Sequence, residues 1–174
     1  GGSGHVDGVL THYSNGARYN LATQKWTVLS DCQHLEAFYG RSTVSTGSHL
    51  LVWGGFGNSG YVQLGAMIDV TTGSCTAIST ANAPAKRGYH AATWTGDQML
   101  VWGGYNGSSS TPTPGGIYDP TSDTWKTMAK PTSMLETRNS SFVWTNKGFF
   151  LWGGQYSSSM QNKGGLYRPN RSAE

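Results

Sequence analysis

The amino-acid sequence predicts an all-β protein built from internal repeats, on three observations. First, its 174 residues include 25 Gly, 9 Tyr and 7 Trp, a composition that favours strands and tight turns. Second, no stretch of the chain sustains the apolar spacing of an amphipathic helix. Third, a Trp-Gly-Gly sequence returns at a nearly constant interval. We therefore expect almost no α-helix and one architecture for the whole chain.

The first landmark of the repeat is an apolar run that ends in Trp-Gly-Gly. It occurs at Trp53, Trp102 and Trp152, which are 49 and 50 residues apart. An uninterrupted apolar run predicts a strand buried on both faces, because a half-buried strand alternates polar and apolar residues. The two glycines let the chain bend sharply afterwards. We expect all three tryptophans to lie in the core.

Two further landmarks follow in each repeat. A tyrosine and, seven residues later, a tryptophan occupy two fixed slots, with some exceptions. The first slot holds Tyr19, Ile68, Tyr118 and Tyr167, and the second holds Trp26, Cys75, Trp125 and Glu174. The turn formers between the two slots predict strand, turn, strand. In the third repeat, strands are expected near 89–95, 98–102, 115–119 and 125–128, with a loop at 105–114. Four short antiparallel strands in about 50 residues predict one blade of a β-propeller.

The Gly-Gly doublet followed by these Tyr and Trp residues resembles the kelch repeat over essentially the whole chain. The tract 87–125 is also similar to kelch-like repeats of secreted bacterial proteins. This resemblance implies one domain, 1–174, with repeats at about 1–30, 31–80, 81–130 and 131–174, the first and last of them incomplete. The segment 31–46 follows the pattern poorly. Closed propellers need about four to eight blades. We therefore expect a partial propeller of about three and a half repeats, completed by further blades of a longer chain or by another copy.

Composition argues against several classes of partner. The formal charge of +3 is spread thinly, and Lys86-Arg87 is the only adjacent basic pair, so nucleic acid is not expected. No apolar run approaches the roughly 18 residues of a membrane span. The two cysteines, Cys32 and Cys75, allow a single bridge. We favour free buried thiols, the ordinary state of buried Cys, and leave the bridge open.

No catalytic residue, metal site or cofactor is predicted. The sequence lacks a Gly-x-Ser-x-Gly elbow, a phosphate-binding loop and a His-Glu-x-x-His motif, and its five histidines share no repeat position. Asp69 and Asp119 recur in phase, which invites a calcium or acid/base interpretation. We interpret them as turn caps, because Asp before a Thr/Ser turn commonly accepts hydrogen bonds from the backbone that follows it.

Aromatic residues outside the periodic core are the candidate binding residues. In kelch-like propellers the loops between the second and third strands, together with those leading into the next blade, commonly form the ligand face. The candidates on these loops are Phe56, Tyr61, Tyr105, Tyr156, Arg87 and Arg138. Aromatic anchors with Arg among small polar residues are typical of a binding surface. The alternative is that they are ordinary solvated loop residues.

The function that these observations favour is a non-catalytic interaction module that binds a protein or a glycan, in an extracellular or cell-surface protein. A second hypothesis is a fragment of a propeller enzyme resembling galactose oxidase or a sugar epimerase, with catalytic residues outside this chain. A third is a self-assembling structural module, in which open sheet edges pair between copies in a homo-oligomer.

Overall fold

The computed structural model describes residues 2–13, 15–35, 39–108, 114–130 and 136–169. Within those ranges every regular element is a β-strand, so the all-β prediction is confirmed. The strands pair antiparallel in small sheets that follow one another along the chain. No helix in the described ranges is long and apolar enough to cross a membrane.

Two hairpins begin the chain. Strand β1 (Gly2–Val6) pairs with β2 (Val9–Tyr13), and β3 (Ala17–Asn20) pairs with β4 (Lys25–Val28). We call the β3–β4 hairpin blade 1. It carries the first Tyr and Trp landmarks directly opposite each other, with the rings of Tyr19 and Trp26 5.1 Å apart. The aromatic pair is thus a cross-strand pair, the unit that stabilises an antiparallel ladder.

Blade 2 is a four-stranded meander. Its strands are β5 (Ser42–Ser45), β6 (His49–Trp53), β9 (Gly65–Asp69) and β10 (Cys75–Ala77), paired in that order. A small hairpin of β7 (Phe56–Gly57) and β8 (Gly60–Tyr61) fills the loop between its second and third strands. Gly54, in the doublet after β6, has φ +66°, and a Cβ there would lie 2.7 Å from the Arg87 carbonyl oxygen. Only glycine fits this bend.

Blade 3 repeats the same meander. Its strands are β11 (Ala91–Trp94), β12 (Met99–Trp102), β13 (Gly115–Asp119) and β14 (Thr124–Met128), close to the predicted positions. Every residue of β12 is buried, as its unbroken apolar run predicts. Part of the predicted loop, 109–113, lies outside the described residues.

Blade 4 has three described strands. They are β15 (Ser141–Thr145), β16 (Gly148–Trp152) and β19 (Gly164–Tyr167), with a small hairpin of β17 (Gln155–Tyr156) and β18 (Ser159–Met160) before the third strand. Glu174, the last predicted landmark, lies outside the described residues.

Neighbouring blades pack face to face through the Trp-Gly-Gly tryptophans. Trp53 of blade 2 is 1% exposed and packs on Trp125 of blade 3, with ring centroids 5.4 Å apart. Trp102 of blade 3 lies in one buried cluster with Phe149 and Leu151 of blade 4. Removing either indole would cost about 3–5 kcal/mol, the usual range for a buried Trp. The core prediction is confirmed for both.

The core prediction is wrong for Trp152. This residue is 53% exposed and stacks on the exposed Phe150. The reason is positional, because no described sheet packs on this face of blade 4, whereas blades 3 and 4 cover the equivalent faces of blades 2 and 3.

The turn interpretation of the recurring aspartates is supported by their hydrogen bonds. Asp69 Oδ1 accepts the backbone N–H groups of Thr71 and Thr72, both at 2.7 Å. Asp119 Oδ1 accepts the N–H of Thr121 at 2.8 Å. Hydrogen bonds from Thr72 and Thr71 hold the pKa of Asp69 below its ordinary value, because they stabilise the ionised carboxylate. Both side chains thereby cap the turn between the third and fourth strands.

Cys32 and Cys75 form a disulfide, so the preference for free thiols is wrong. Their Cα atoms are 5.7 Å apart, within the usual range for a bridge. In blade 3 the equivalent of Cys75 is Trp125, whose indole N–H donates to the Ser79 carbonyl at 2.8 Å. Ser79 lies in the segment entering blade 3, as Cys32 lies in the segment entering blade 2. In blade 2 the disulfide therefore takes the place of the contact that Trp125 makes in blade 3 between the outer strand and the entering segment.

Candidate functional site

Two sets of loops meet at one end of blades 2, 3 and 4. In each blade one residue of the entering segment forms an isolated β-bridge with the residue after the Gly-Gly doublet. The three bridges are Tyr39 to Phe56, Gly88 to Tyr105, and Arg138 to Gln155. The repeat therefore presents the same two positions once per blade, and the side chains at those positions differ.

A chain of backbone hydrogen bonds joins the three entering segments. It runs through Gly40, Tyr89 and Asn139, which all have positive φ angles of 67°, 58° and 55°. The N–H of Tyr89 donates to the Gly40 carbonyl at 2.6 Å, and the N–H of Asn139 donates to the Tyr89 carbonyl at 3.0 Å. Gly and Asn tolerate this conformation, whereas a bulky residue such as Tyr is strained in it. Backbone strain of this kind tends to cluster at functional sites.

Above this backbone chain four rings form a continuous row, which we call the aromatic row: Tyr39, Phe56, Tyr61 and Tyr105. Tyr39 stacks on Phe56 with centroids 5.2 Å apart, and Phe56 meets Tyr61 edge-on at 4.9 Å. Tyr61 then meets Tyr105 edge-on at 5.6 Å, which carries the row from blade 2 to blade 3. Each such pair contributes about 0.5–1.5 kcal/mol beyond area burial, so the rings support one another's positions.

Arg138 ends the aromatic row on blade 4. Its guanidinium carbon lies 4.4 Å from the centroid of the Tyr105 ring, a cation–π contact. Its Nε donates to Gln155 Oε1 at 3.1 Å. The sequence candidates Phe56, Tyr61, Tyr105 and Arg138 are thus brought together, from three successive blades.

Tyr89 flanks the aromatic row. Its ring lies 6.3 Å from that of Tyr39. Burial raises the pKa of the Tyr61 hydroxyl, and the nearby hydroxyls of Tyr89, Tyr105 and Tyr39 raise it further. Burial likewise raises the pKa of Tyr89. Both hydroxyls therefore keep their protons at neutral pH and can donate hydrogen bonds.

Arg87 has a different environment from Arg138 and is fully buried. Its Nε, Nη1 and Nη2 donate to the carbonyls of Ala85, Gly103 and Pro114 at 2.8, 3.0 and 2.8 Å. Burial lowers the pKa of its guanidinium to about 10, with the charge of Glu136 acting in the opposite direction. The Arg87 side chain thus ties the segment entering blade 3 to the loop between the second and third strands of that blade, and it leaves no surface for a ligand, which corrects its inclusion among the ligand contacts.

Tyr156 stands apart from the aromatic row. It is 45% exposed on β17, and among the described residues it makes no ring contact. It remains a candidate for a separate contact on the same loop set.

Sequence reasoning missed Tyr39 and Tyr89. Both lie in the segments that enter blades, and the first falls in the stretch 31–46 that matches the repeat poorly. The sequence did contain a signal for Tyr89. The bridge-forming residues Tyr39, Gly88 and Arg138 are equivalent, so the residues that follow them are equivalent too. Those residues are Gly40, Tyr89 and Asn139. A Tyr in a slot otherwise held by Gly and Asn is the kind of local exception that marks a site.

The loops between the second and third strands of blades 2, 3 and 4 contain no carboxylate side chain. The segments 54–64, 103–108 and 153–163 contain neither Asp nor Glu. Glu136, on the segment entering blade 4, is buried and paired with Lys130 at 2.8 Å. In the described part of the chain, no three His, Cys, Asp or Glu side chains are grouped closely enough to hold a metal ion.

A comparison with family models identifies the repeat. The model of the KLHDC2/KLHL20/DRC7 Kelch-repeats domain matches residues 1–170. No curated protein matches the chain. Kelch-repeat domains generally act as protein-interaction scaffolds and are typically non-enzymatic. By its four-stranded blades, its periodic Trp-Gly-Gly sequences and this match, the chain belongs to the kelch-repeat family.

Proposed function

We propose that this domain binds a protein partner through the aromatic row and Arg138. The observation that carries the proposal is the row itself, four rings in continuous contact that cross from blade 2 to blade 3 and end on a guanidinium of blade 4. Tyr and Arg are enriched among the residues that dominate binding energy at protein interfaces. Tyr39 is 41% exposed, so the row offers aromatic surface that a partner can cover.

The lack of carboxylates in the loops between the second and third strands favours a protein over a glycan. Sugar hydroxyls are hydrogen-bond donors as well as acceptors, and an ionised carboxylate is a strong acceptor for them. The loops 54–64 and 103–108, which carry Phe56, Tyr61 and Tyr105, contain no Asp or Glu. Apolar and aromatic side chains of a peptide need no such acceptor, and they gain from covering the rings.

A peptide-display selection on the immobilised domain tests this proposal. Selected peptides should lose binding by at least about ten-fold, or roughly 1.4 kcal/mol, in the variants Phe56→Ala and Tyr105→Ala. Tyr19→Ala is the matched control, since Tyr19 is 42% exposed and lies outside the row. Peptides that bind the Phe56→Ala variant as tightly as the wild type would place the interface elsewhere. A glycan array run in parallel should give no signal that depends on Phe56.

We also propose that the domain works in an oxidising compartment, at the cell surface or outside the cell. The support for this is the Cys32–Cys75 disulfide, because such bridges persist in secreted proteins and are rare in the cytosol. Thiol labelling of the protein, taken without reductant from cells that produce it naturally, should modify neither cysteine. Labelling of both would count against this localisation.

A further inference from the structure

The aromatic row and the flanking Tyr89 present hydroxyl groups that can donate hydrogen bonds to a ligand. The hydroxyls of Tyr39, Tyr61, Tyr89 and Tyr105 make no hydrogen bond with any other described residue. Arg138 adds further N–H donors at the end of the row, and a guanidinium cannot accept a hydrogen bond. A ligand that offers hydrogen-bond acceptors, such as free backbone carbonyls, can therefore pair with these groups.

The rings of the row also differ in orientation. Two of the three contacts along the row are edge-on, with interplanar angles of 80° and 85°, so ring faces and ring edges alternate along it. Gly88 makes this possible, because a Cβ there would lie 3.1 Å from Tyr61 Cε1. The equivalent positions in blades 2 and 4 carry the side chains of Tyr39 and Arg138. The missing side chain thus gives Tyr61 the space to reach Tyr105.

We propose that the aromatic row binds a proline-rich segment in the polyproline II conformation. Such a segment has no internal hydrogen bonds, so its carbonyls are free to accept, and each proline lacks an N–H. Its rings fit between aromatic side chains, and its conformation is largely set before binding, which lowers the entropic cost. Successive centroids are 5.2, 4.9 and 5.6 Å apart, so the row can contact several successive residues of such a segment, which rises about 3.1 Å per residue. This inference rests on the proposed function and names the chemistry of its partner.

An acidic peptide fits the same surface less well. Arg138 is a cation in contact with the row, and its guanidinium already lies over Tyr105 and donates to Gln155. Most of what the row presents is uncharged ring surface and hydroxyl groups. A ligand recognised chiefly by charge would use only one end of it.

The test titrates decaproline into the isotopically labelled domain and follows backbone amide shifts by NMR. A ten-residue Gly-Ser peptide and a ten-residue Glu-Gly peptide serve as comparisons. Decaproline should shift amides of the loops 54–64 and 103–108, with at least ten-fold tighter binding than either comparison peptide. Tyr61→Phe and Tyr105→Phe should each weaken it about three- to ten-fold, because each removes one hydrogen-bonding hydroxyl and keeps the ring. Tyr19→Phe should leave binding unchanged.

The outcomes separate the two proposals. If decaproline does not bind, while display-selected peptides still depend on Phe56, the proline-rich class is wrong and the binding surface stands. If the Glu-Gly peptide binds more tightly than decaproline, the proline-rich class is likewise wrong. If decaproline binds the Phe56→Ala variant as tightly as the wild type, the aromatic row is not its site. If neither decaproline nor any selected peptide depends on Phe56, both proposals fail.

Discussion

His90 is a fully buried imidazole between blades 2 and 3. Its Nε2 is 2.8 Å from Ser42 Oγ, and its ring meets Trp53 edge-on at 5.2 Å. Among the described residues its Nδ1 is buried and has no hydrogen-bond partner. Burial lowers the pKa of His90 to about 3, and the nearby charge of Arg87 lowers it in the same direction. The folded protein therefore holds His90 neutral.

This environment predicts acid-dependent stability. The unfolded chain takes up a proton near the ordinary His pKa of 6.5, and the folded chain does so only near 3, so stability is lost as pH falls through that window. His90 alone should lower the free energy of unfolding by about 1.4 kcal/mol for each pH unit within it. Urea unfolding at pH 7, 6, 5 and 4 measures this dependence.

The non-titrating variant His90→Gln should show a shallower acid dependence than the wild type, even if its stability at pH 7 is lower. His34→Gln is the control, because His34 is exposed. An unchanged slope in His90→Gln would mean that other groups carry the acid dependence.

Arg87 and Arg138 do not occupy equivalent positions of the repeat, because they differ by one residue in the alignment of the blades. The N–H of Gly55 donates to the Arg87 carbonyl, and the N–H of Gly104 donates to the Thr137 carbonyl, so Arg87 corresponds to Thr137 and not to Arg138. Two arginines in similar loops looked equivalent in the sequence. Their burial depends on backbone hydrogen bonds between blades, which the sequence does not display.

The strands themselves were readily predicted, because each repeat states the same pattern again and turn formers separate its segments. The expected segments 98–102 and 115–119 match β12 and β13 within one residue at each end. The entering segments were harder, since they lack the periodic apolar residues that reveal a strand. For this reason the sequence indicated Phe56, Tyr61 and Tyr105 but not Tyr39 or Tyr89.

The disulfide joins the segment entering blade 2 to that blade's outer strand. It closes a loop with a sequence separation of 43 residues. A crosslink over that separation stabilises the folded state by about 4 kcal/mol in the chain-entropy model. Beside it lies a cavity of about 230 Å³, lined by Leu29, Leu50, Ile68 and both cysteines among others. Cys75 is smaller than Trp125, which holds the equivalent position in blade 3. The cavity in blade 2 lies beside this smaller side chain.

We predict that reduction of this bond lowers the melting temperature markedly, because the lost crosslink frees the unfolded chain. Thermal unfolding with and without a phosphine reductant measures the effect. The double variant Cys32→Ser/Cys75→Ser should melt at the lower temperature in both conditions. Equal melting temperatures for the wild type with and without reductant would show that the bond adds little stability.

Blade 4 ends the described structure with an apolar face. Val143, Phe150 and Trp152 are all exposed there, although Trp53 and Trp102 are buried at the equivalent position. Exposed apolar patches of this kind mark interaction surfaces or sites of aggregation. The repeated packing of one blade on the next indicates what this face can bind, namely another sheet of the same type.

We predict that this 174-residue chain self-associates in dilute buffer through that face. Light scattering should give a mass above 18.7 kDa that rises with concentration. The variant Phe150→Thr/Trp152→Thr should shift the mass toward that of one chain, because Thr suits a strand without offering large apolar surface. Tyr156→Ser is the control, because it removes an exposed aromatic side chain that lies outside the three-stranded sheet. This variant should have the same mass as the wild type. Equal masses for the wild type and the double variant would contradict the prediction.

The hydrogen-bond chain through Gly40, Tyr89 and Asn139 uses main-chain atoms alone. The adjoining positions already hold Tyr39, Gly88 and Arg138 on the same frame. Substitutions of Tyr39 or Arg138 would change the proposed binding surface and keep these main-chain hydrogen bonds, whereas a Cβ at Gly88 would lie 3.2 Å from the Gly40 carbonyl oxygen. The repeat therefore holds its blades together with main-chain atoms and carries its surface chemistry on side chains, so point mutations can change the proposed binding surface on a constant framework.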